Sequence, residues 1–94
     1  MHDWTLRTIE LDWASGEVIV LLLNLKSELV ELKANGVRAA MVNRAHSWGE
    51  SVSIYGFTGP EEVDSGFLRM EINAQSGDLI IIEAMSFVVP VGAM

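Results

Sequence analysis

No cysteine occurs in the chain, which rules out disulfides and cysteine-bound metal. Small secreted domains commonly rely on disulfides to reinforce a thin core, so their absence points to a reducing, cytoplasmic setting. Basic residues are scarce too. Arg7, Lys26, Lys33, Arg38, Arg44 and Arg69 are the whole set, and they are scattered. Phosphate-backbone binding draws its affinity from clustered Lys and Arg, so neither nucleic acid nor an anionic membrane is an expected partner. The longest apolar run, Val18 to Leu25, is broken by Asn24 and flanked by Glu17 and Lys26. It falls far short of the roughly 20 residues of a membrane helix. Met1-His2-Asp3-Trp4 has neither the basic nor the apolar stretch of a secretory leader. No HExxH, DxDxDG, GxGxxG or nucleophile-elbow pattern is present. No metal or other cofactor is therefore expected, and the chain leans away from enzymes.

Acidity and apolar content are what the chain has in abundance. Thirteen acidic side chains against six basic ones give a net charge of −7, and half of the 94 residues are hydrophobic. A chain of this length forms one domain, 1–94, and buries roughly 60–68% of its unfolded surface. The apolar surplus is then available to another subunit or partner. The acidic surface keeps such a domain soluble, and it would also steer a basic protein partner inward.

The chain states one pattern twice. Glu10-Leu11-Asp12-Trp13-Ala14-Ser15-Gly16-Glu17-Val18-Ile19-Val20-Leu21 and Glu71-Ile72-Asn73-Ala74-Gln75-Ser76-Gly77-Asp78-Leu79-Ile80-Ile81-Ile82 align through their Ser-Gly pairs. Each reads as an alternating strand, a two-residue turn and a strand apolar on both faces, the signature of a β-hairpin. In residues 5–13, period two places Arg7, Ile9, Leu11 and Trp13 opposite Leu6, Thr8, Glu10 and Asp12. Residues 27–35 are good helix formers, with Ser27 and Gly36 at capping positions. They also alternate into Asn35-Gly36, the strongest short hairpin signal, with Val37 to Val42 as the returning strand. Ser51 to Phe57 alternates, and Thr58 to Gly66 reads as an exposed acidic connection. Leu79 to Val89 is nearly continuous apolar strand ending at Pro90. The expectation is an all-β fold, an antiparallel six- or seven-stranded sandwich or small barrel built from hairpins, with Val18–Leu25 and Leu79–Val89 central. The alternative is α+β, with a helix at about 27–35.

Functional-looking residues concentrate in Arg44-Ala45-His46-Ser47-Trp48-Gly49-Glu50-Ser51. Arg44, His46, Trp48 and Glu50, with Tyr55 beyond them, form the candidate binding set, because loops carry binding residues and Trp and Arg favour interfaces. The competing reading is that Trp48 caps an open end of the core. Ser47 or Ser51 beside His46 lacks the third residue that would orient an imidazole, so no catalytic residue is assigned. His2-Asp3 alone lacks the further ligands of a metal hydrolase. Glu10 with Glu71, and Glu17 with Asp78, occupy equivalent repeat positions and read as solvated faces. Glu83 interrupts an apolar strand. If buried it needs a cation, Arg44 or Arg69; if exposed it guards an edge.

His2, Asp3 and Leu6, followed by Trp48-Gly49-x-Ser51 and Gln75-Ser76-Gly77-Asp78, carry a resemblance over most of the chain. The sequence resembles small uncharacterised bacterial β domains, some of which look like immunity proteins encoded beside secreted toxins. Related sequences more often have Pro where this chain has Ser47. The resemblance brings no catalytic or ligand residue. Three readings follow: a non-catalytic protein-interaction module, immunity-like, facing a basic or apolar partner surface; a small-molecule-binding or enzymatic domain with its site at the 44–51 loop; and an obligate homodimer that covers the apolar tail 91–94.

Overall fold

Alternation is the pattern the backbone follows. The computed structural model describes residues 1–45 and 52–92. Within them lie eight strands: β1 (Thr5–Asp12), β2 (Glu17–Leu23), β3 (Leu29–Asn35), β4 (Ala39–Val42), β5 (Val52–Asp64), β6 (Phe67–Ala74), β7 (Leu79–Ala84) and β8 (Ser86–Val88). They form one antiparallel sheet in the order β4-β7-β6-β5-β1-β2-β3-β8, which is not closed into a barrel. The described residues contain no helix.

The helix alternative for 27–35 therefore fails. Period two won because Leu32 and Ala34 both reach full burial from β3, and a strand aims alternate side chains at one face. The Asn35-Gly36 hairpin also fails. Strand β3 pairs with β2 and β8, whereas β4 pairs with β7. Gly36 does take a left-handed conformation, φ 65°, but it uses it to bend the chain. Met85 crosses there, donating its N–H towards Asn35 O at 3.0 Å and Gly36 O at 3.2 Å. A Cβ on Gly36 would lie 2.7 Å from Met85 Sδ.

Met85 likewise divides the expected long C-terminal strand into β7 and β8, which serve different partners. That division contributes to a count of eight where six or seven strands were expected. Each terminal strand of the sheet thus prolongs an interior one: β4 follows β3 after residues 36–38, and β8 follows β7 after Met85. Segments 29–42 and 79–88 run antiparallel past each other about this pivot, and the sheet folds over.

The two repeated hairpins are β1–β2 and β6–β7, and β5 lies between them. Their apolar strands β2 and β7 are interior, whereas β8, the end of the expected central strand Leu79–Val89, lies at a terminus of the sheet. Val18, Val20 and Leu22 from β2 share one buried cluster with Leu32 and Ala34, Ile54 from β5, Met70 and Ile72 from β6, and Ile80, Ile82 and Ala84 from β7. Met1 and Trp4 are buried in it as well, and β4 contributes none of its buried residues.

Two local irregularities depart from simple alternation. The β1–β2 register shifts between Leu6 and Thr8, leaving Arg7 as the extra residue of a bulge. Leu6 and Ile9 consequently both pack on the core, although strict period two sets them on opposite faces. Strand β5 continues through the stretch expected as a connection. Its pairing with β6 slips between Thr58 and Glu61, and the Gly59-Pro60 bond there is cis. A bulge is where a sheet tolerates Pro, which has no N–H for the ladder.

Candidate functional site

The tip of the first hairpin is a four-residue connection, 13–16, rather than a two-residue turn. Asp12 explains it: its Oδ1 accepts the N–H of Ala14 at 3.1 Å and of Ser15 at 3.3 Å, and its carbonyl accepts Gly16 N–H at 2.9 Å. This side-chain-to-backbone turn is what Asp offers at such positions. It carries Trp13 outward, 88% exposed. The tip is also tied to the bend after β3, because Val37 N–H donates to Gly16 O at 2.8 Å.

Beyond that bond the hairpin ends and β4 begins. Strand β4 pairs with β7 along one side, and its other side meets no strand among the described residues. All four of its residues, Ala39-Ala40-Met41-Val42, are exposed. A groove of about 260 Å³ runs from Leu11 and Trp13 to Val37, Arg38, Ala39 and Ala40. It adjoins a second depression of about 440 Å³, where Glu10, Asp12, Glu17 and Ile19 join the same Leu11 and Trp13. The result is an apolar groove with an open strand edge on one side and carboxylates on the other.

Arg38 lines this groove but is committed elsewhere. Its Nη2 lies 2.6 Å from Asp64 Oδ2, its Nε lies 3.1 Å from Glu83 Oε1, and its guanidinium stacks 4.2 Å above the Phe67 ring. The Asp64 carboxylate first, and Glu83 after it, raise the Arg38 pKa above its usual value, outweighing partial desolvation. Arg69 Nε stands 3.9 Å from Glu83 Oε2, a weak geometry that leaves this N–H without a hydrogen bond. Glu83 is thus held by Arg38, which was not in the expected pair of Arg44 and Arg69, with Arg69 at the longer distance. Arg38 was missed because the Asn35-Gly36 hairpin reading hid that the bend places residue 38 against residue 83. Lys33 pairs with Glu17 at 3.2 Å.

The expected 44–51 site is only partly within the described residues. His46, Trp48 and Glu50 lie outside them. Arg44 is exposed just past β4. Tyr55 is exposed on β5, its ring 6.0 Å from that of His2 in an edge contact. His2 Nδ1 is 3.2 Å from Asp3 Oδ2, and Gln75 Nε2 donates to Asp3 Oδ1 at 2.7 Å. Among the described residues, no three His, Asp or Glu side chains gather as metal ligands would. Asp78 corrects another expectation. It is 8% exposed, whereas its repeat twin Glu17 is half-buried and paired with Lys33, so neither is a simply solvated carboxylate. Its Oδ1 accepts Ala45 N–H at 2.9 Å and its Oδ2 accepts Ser76 Oγ at 2.9 Å. The second Ser-Gly connection, 75–78, is therefore the anchor for the chain leaving β4, with Asn43 N–H donating to Leu79 O at 3.2 Å beside it. Nothing in the repeat distinguishes Asp78 from Glu17; only the chain packed over it does.

No helix among the described residues is long and apolar enough to cross a membrane. Comparison of the chain with protein-family models, with curated proteins and with solved structures yields no match.

Proposed function

We propose that this chain is a non-catalytic protein-interaction module, immunity-like in the sense that it acts by covering a basic partner. The single observation that carries the reading is the groove at the tip of the first hairpin. There an exposed indole and leucine stand beside a strand edge that is unpaired among the described residues and a carboxylate-lined wall. Exposed aromatic anchors ringed by charge are the usual composition of an interface centre, and a −7 chain attracts positive surfaces.

Affinity capture with the wild-type chain and with Trp13→Ser tests it. The reading requires a protein retained by the first and lost by the second, with both chains folded by circular dichroism. Equal retention by the two would place binding elsewhere on the molecule.

A further inference from the structure

The proposed interaction leaves open how a partner sits in the groove, and β4 supplies an answer. Asn43 N–H donates to Leu79 O, and Met41 and Ala39 stand opposite Ile81 and Glu83. Arg38 N–H also donates to Glu83 O at 2.9 Å, ahead of the regular ladder. Within β4 antiparallel pairs alternate, so the Asn43 bond sets the amides of Met41 and Asn43 towards β7 and those of Ala40 and Val42 away. Natural sheets guard such an edge with Lys, Pro or an inward charge. Strand β4 is Ala39-Ala40-Met41-Val42 and has none of these. The groove floor continues from this edge to Leu11 and Trp13.

The charge beside it has one sign. Glu10 forms no ion pair among the described residues, Asp12 and Glu17 stand near it, and Arg38 is already held by Asp64 and Glu83. Lys33 offsets only Glu17. A second copy of this chain would bring its own acidic tip against the first, and the net charge of −7 opposes that pairing.

We infer that β4 accepts an extended, Lys- or Arg-bearing polypeptide segment as an added antiparallel or parallel strand. Its backbone would pair with Ala40 and Val42, an apolar side chain would lie against Trp13, and its cations would face Glu10 and Asp12. This rests on the interaction reading above and adds the mode of binding and the class of partner. Strand addition draws affinity from main-chain hydrogen bonds and selectivity from alternate side chains.

The experiment uses a labelled octapeptide alternating Val and Lys, its Glu-for-Lys counterpart, and a Val/Lys version N-methylated at alternate residues. The expected result is saturable binding of the first alone, weakening as salt rises, with new amide protection at Ala40 and Val42 by NMR hydrogen exchange. Glu10→Lys and Trp13→Ser should each weaken binding at least about tenfold, the order of an interface hot spot. Ala40→Pro is the decisive variant. Its lost N–H points outward, so the β4–β7 ladder and the fold survive, while the added strand loses its partner and binding falls below detection. If Ala40→Pro still captures a protein that Trp13→Ser loses, the interaction reading stands and strand addition is overturned. Equal binding of the N-methylated peptide overturns it too. Concentration-dependent self-association that protects the same two amides without peptide would identify a second copy as the occupant and overturn the basic-segment inference.

Discussion

Gly36 permits the bend that carries the chain from β3 to β4. Its left-handed backbone and the crossing Met85 both require the absence of a Cβ. Gly36→Ala should destabilise the chain by about 1–2 kcal/mol, the cost of holding an L-residue in that conformation, read as a lower denaturation midpoint with unchanged slope. Gly59 is tighter, since an added Cβ would lie 2.5 Å from the Arg69 carbonyl oxygen at φ 94°. Gly59→Ala should cost about 2–4 kcal/mol, strain and overpacking together. Gly56 is the internal control: an added Cβ meets open space, and Gly56→Ala should be neutral or stabilise by up to about 1 kcal/mol by removing chain entropy. Asp78 is the third such residue. Asp78→Ala leaves Ala45 N–H and Ser76 Oγ without their acceptor, which should cost about 1–3 kcal/mol. It should also speed amide exchange at Ala45 more than at Val20.

Among the elements, β2 and β7 carry the stability. Leu22 is fully buried near the end of β2, whereas Leu25, two residues past that end, is mostly exposed. Leu22→Ala should cost about 2–5 kcal/mol, lost burial plus the cavity left behind. Leu25→Ser should stay within about 0.5 kcal/mol, as surface changes do. Thermal melts of the two variants side by side give the measurement. Existence and type of these elements were legible because apolar alternation is a local property: β1, β2 and β6 stand within two residues of where the pattern sets them, and β7 starts at Leu79 as expected but stops at Ala84 rather than Val89. Pairing was not legible. The Asn35-Gly36 signal is a statement about backbone conformation, and the conformation is there, but the same φ serves a bend as well as a hairpin. The Arg7 bulge and the slip at Gly59-Pro60 were hidden for the same reason, since a bulge is set by the neighbouring strand.

At the scale of the molecule, one buried cluster joins the two hairpins, with β5 between them. Unfolding should therefore be a single transition. Far-ultraviolet circular dichroism, which follows the sheet, and tryptophan fluorescence, to which buried Trp4 contributes, should give coincident denaturation curves. Separate midpoints would mean that the halves of the sheet melt independently. The candidate surface belongs to this scale as well. Trp13 and β4 are separated by 26 residues in the chain, and only the bend at Gly36 brings them to one groove. No short window of sequence contains both, whereas 44–51 sets chemistry-bearing residues close together in the chain. Of that set, Arg44 and Tyr55 are described, and neither lines the groove.

The sequence by itself determined the all-β class, the two Ser-Gly hairpins, the interior position of the strands β2 and β7 that follow their turns, and the net acidity. Each depends on composition or on a period of two, and both are written residue by residue. Tertiary structure decided the rest: that 29–42 and 79–88 cross at Gly36 and Met85, that Glu83 meets Arg38, that Asp78 is an anchor while Glu17 is not, and that one side of β4 meets no strand among the described residues. Those outcomes depend on which strand lies beside which, and that is fixed by how one sheet must fold to bury a single apolar cluster.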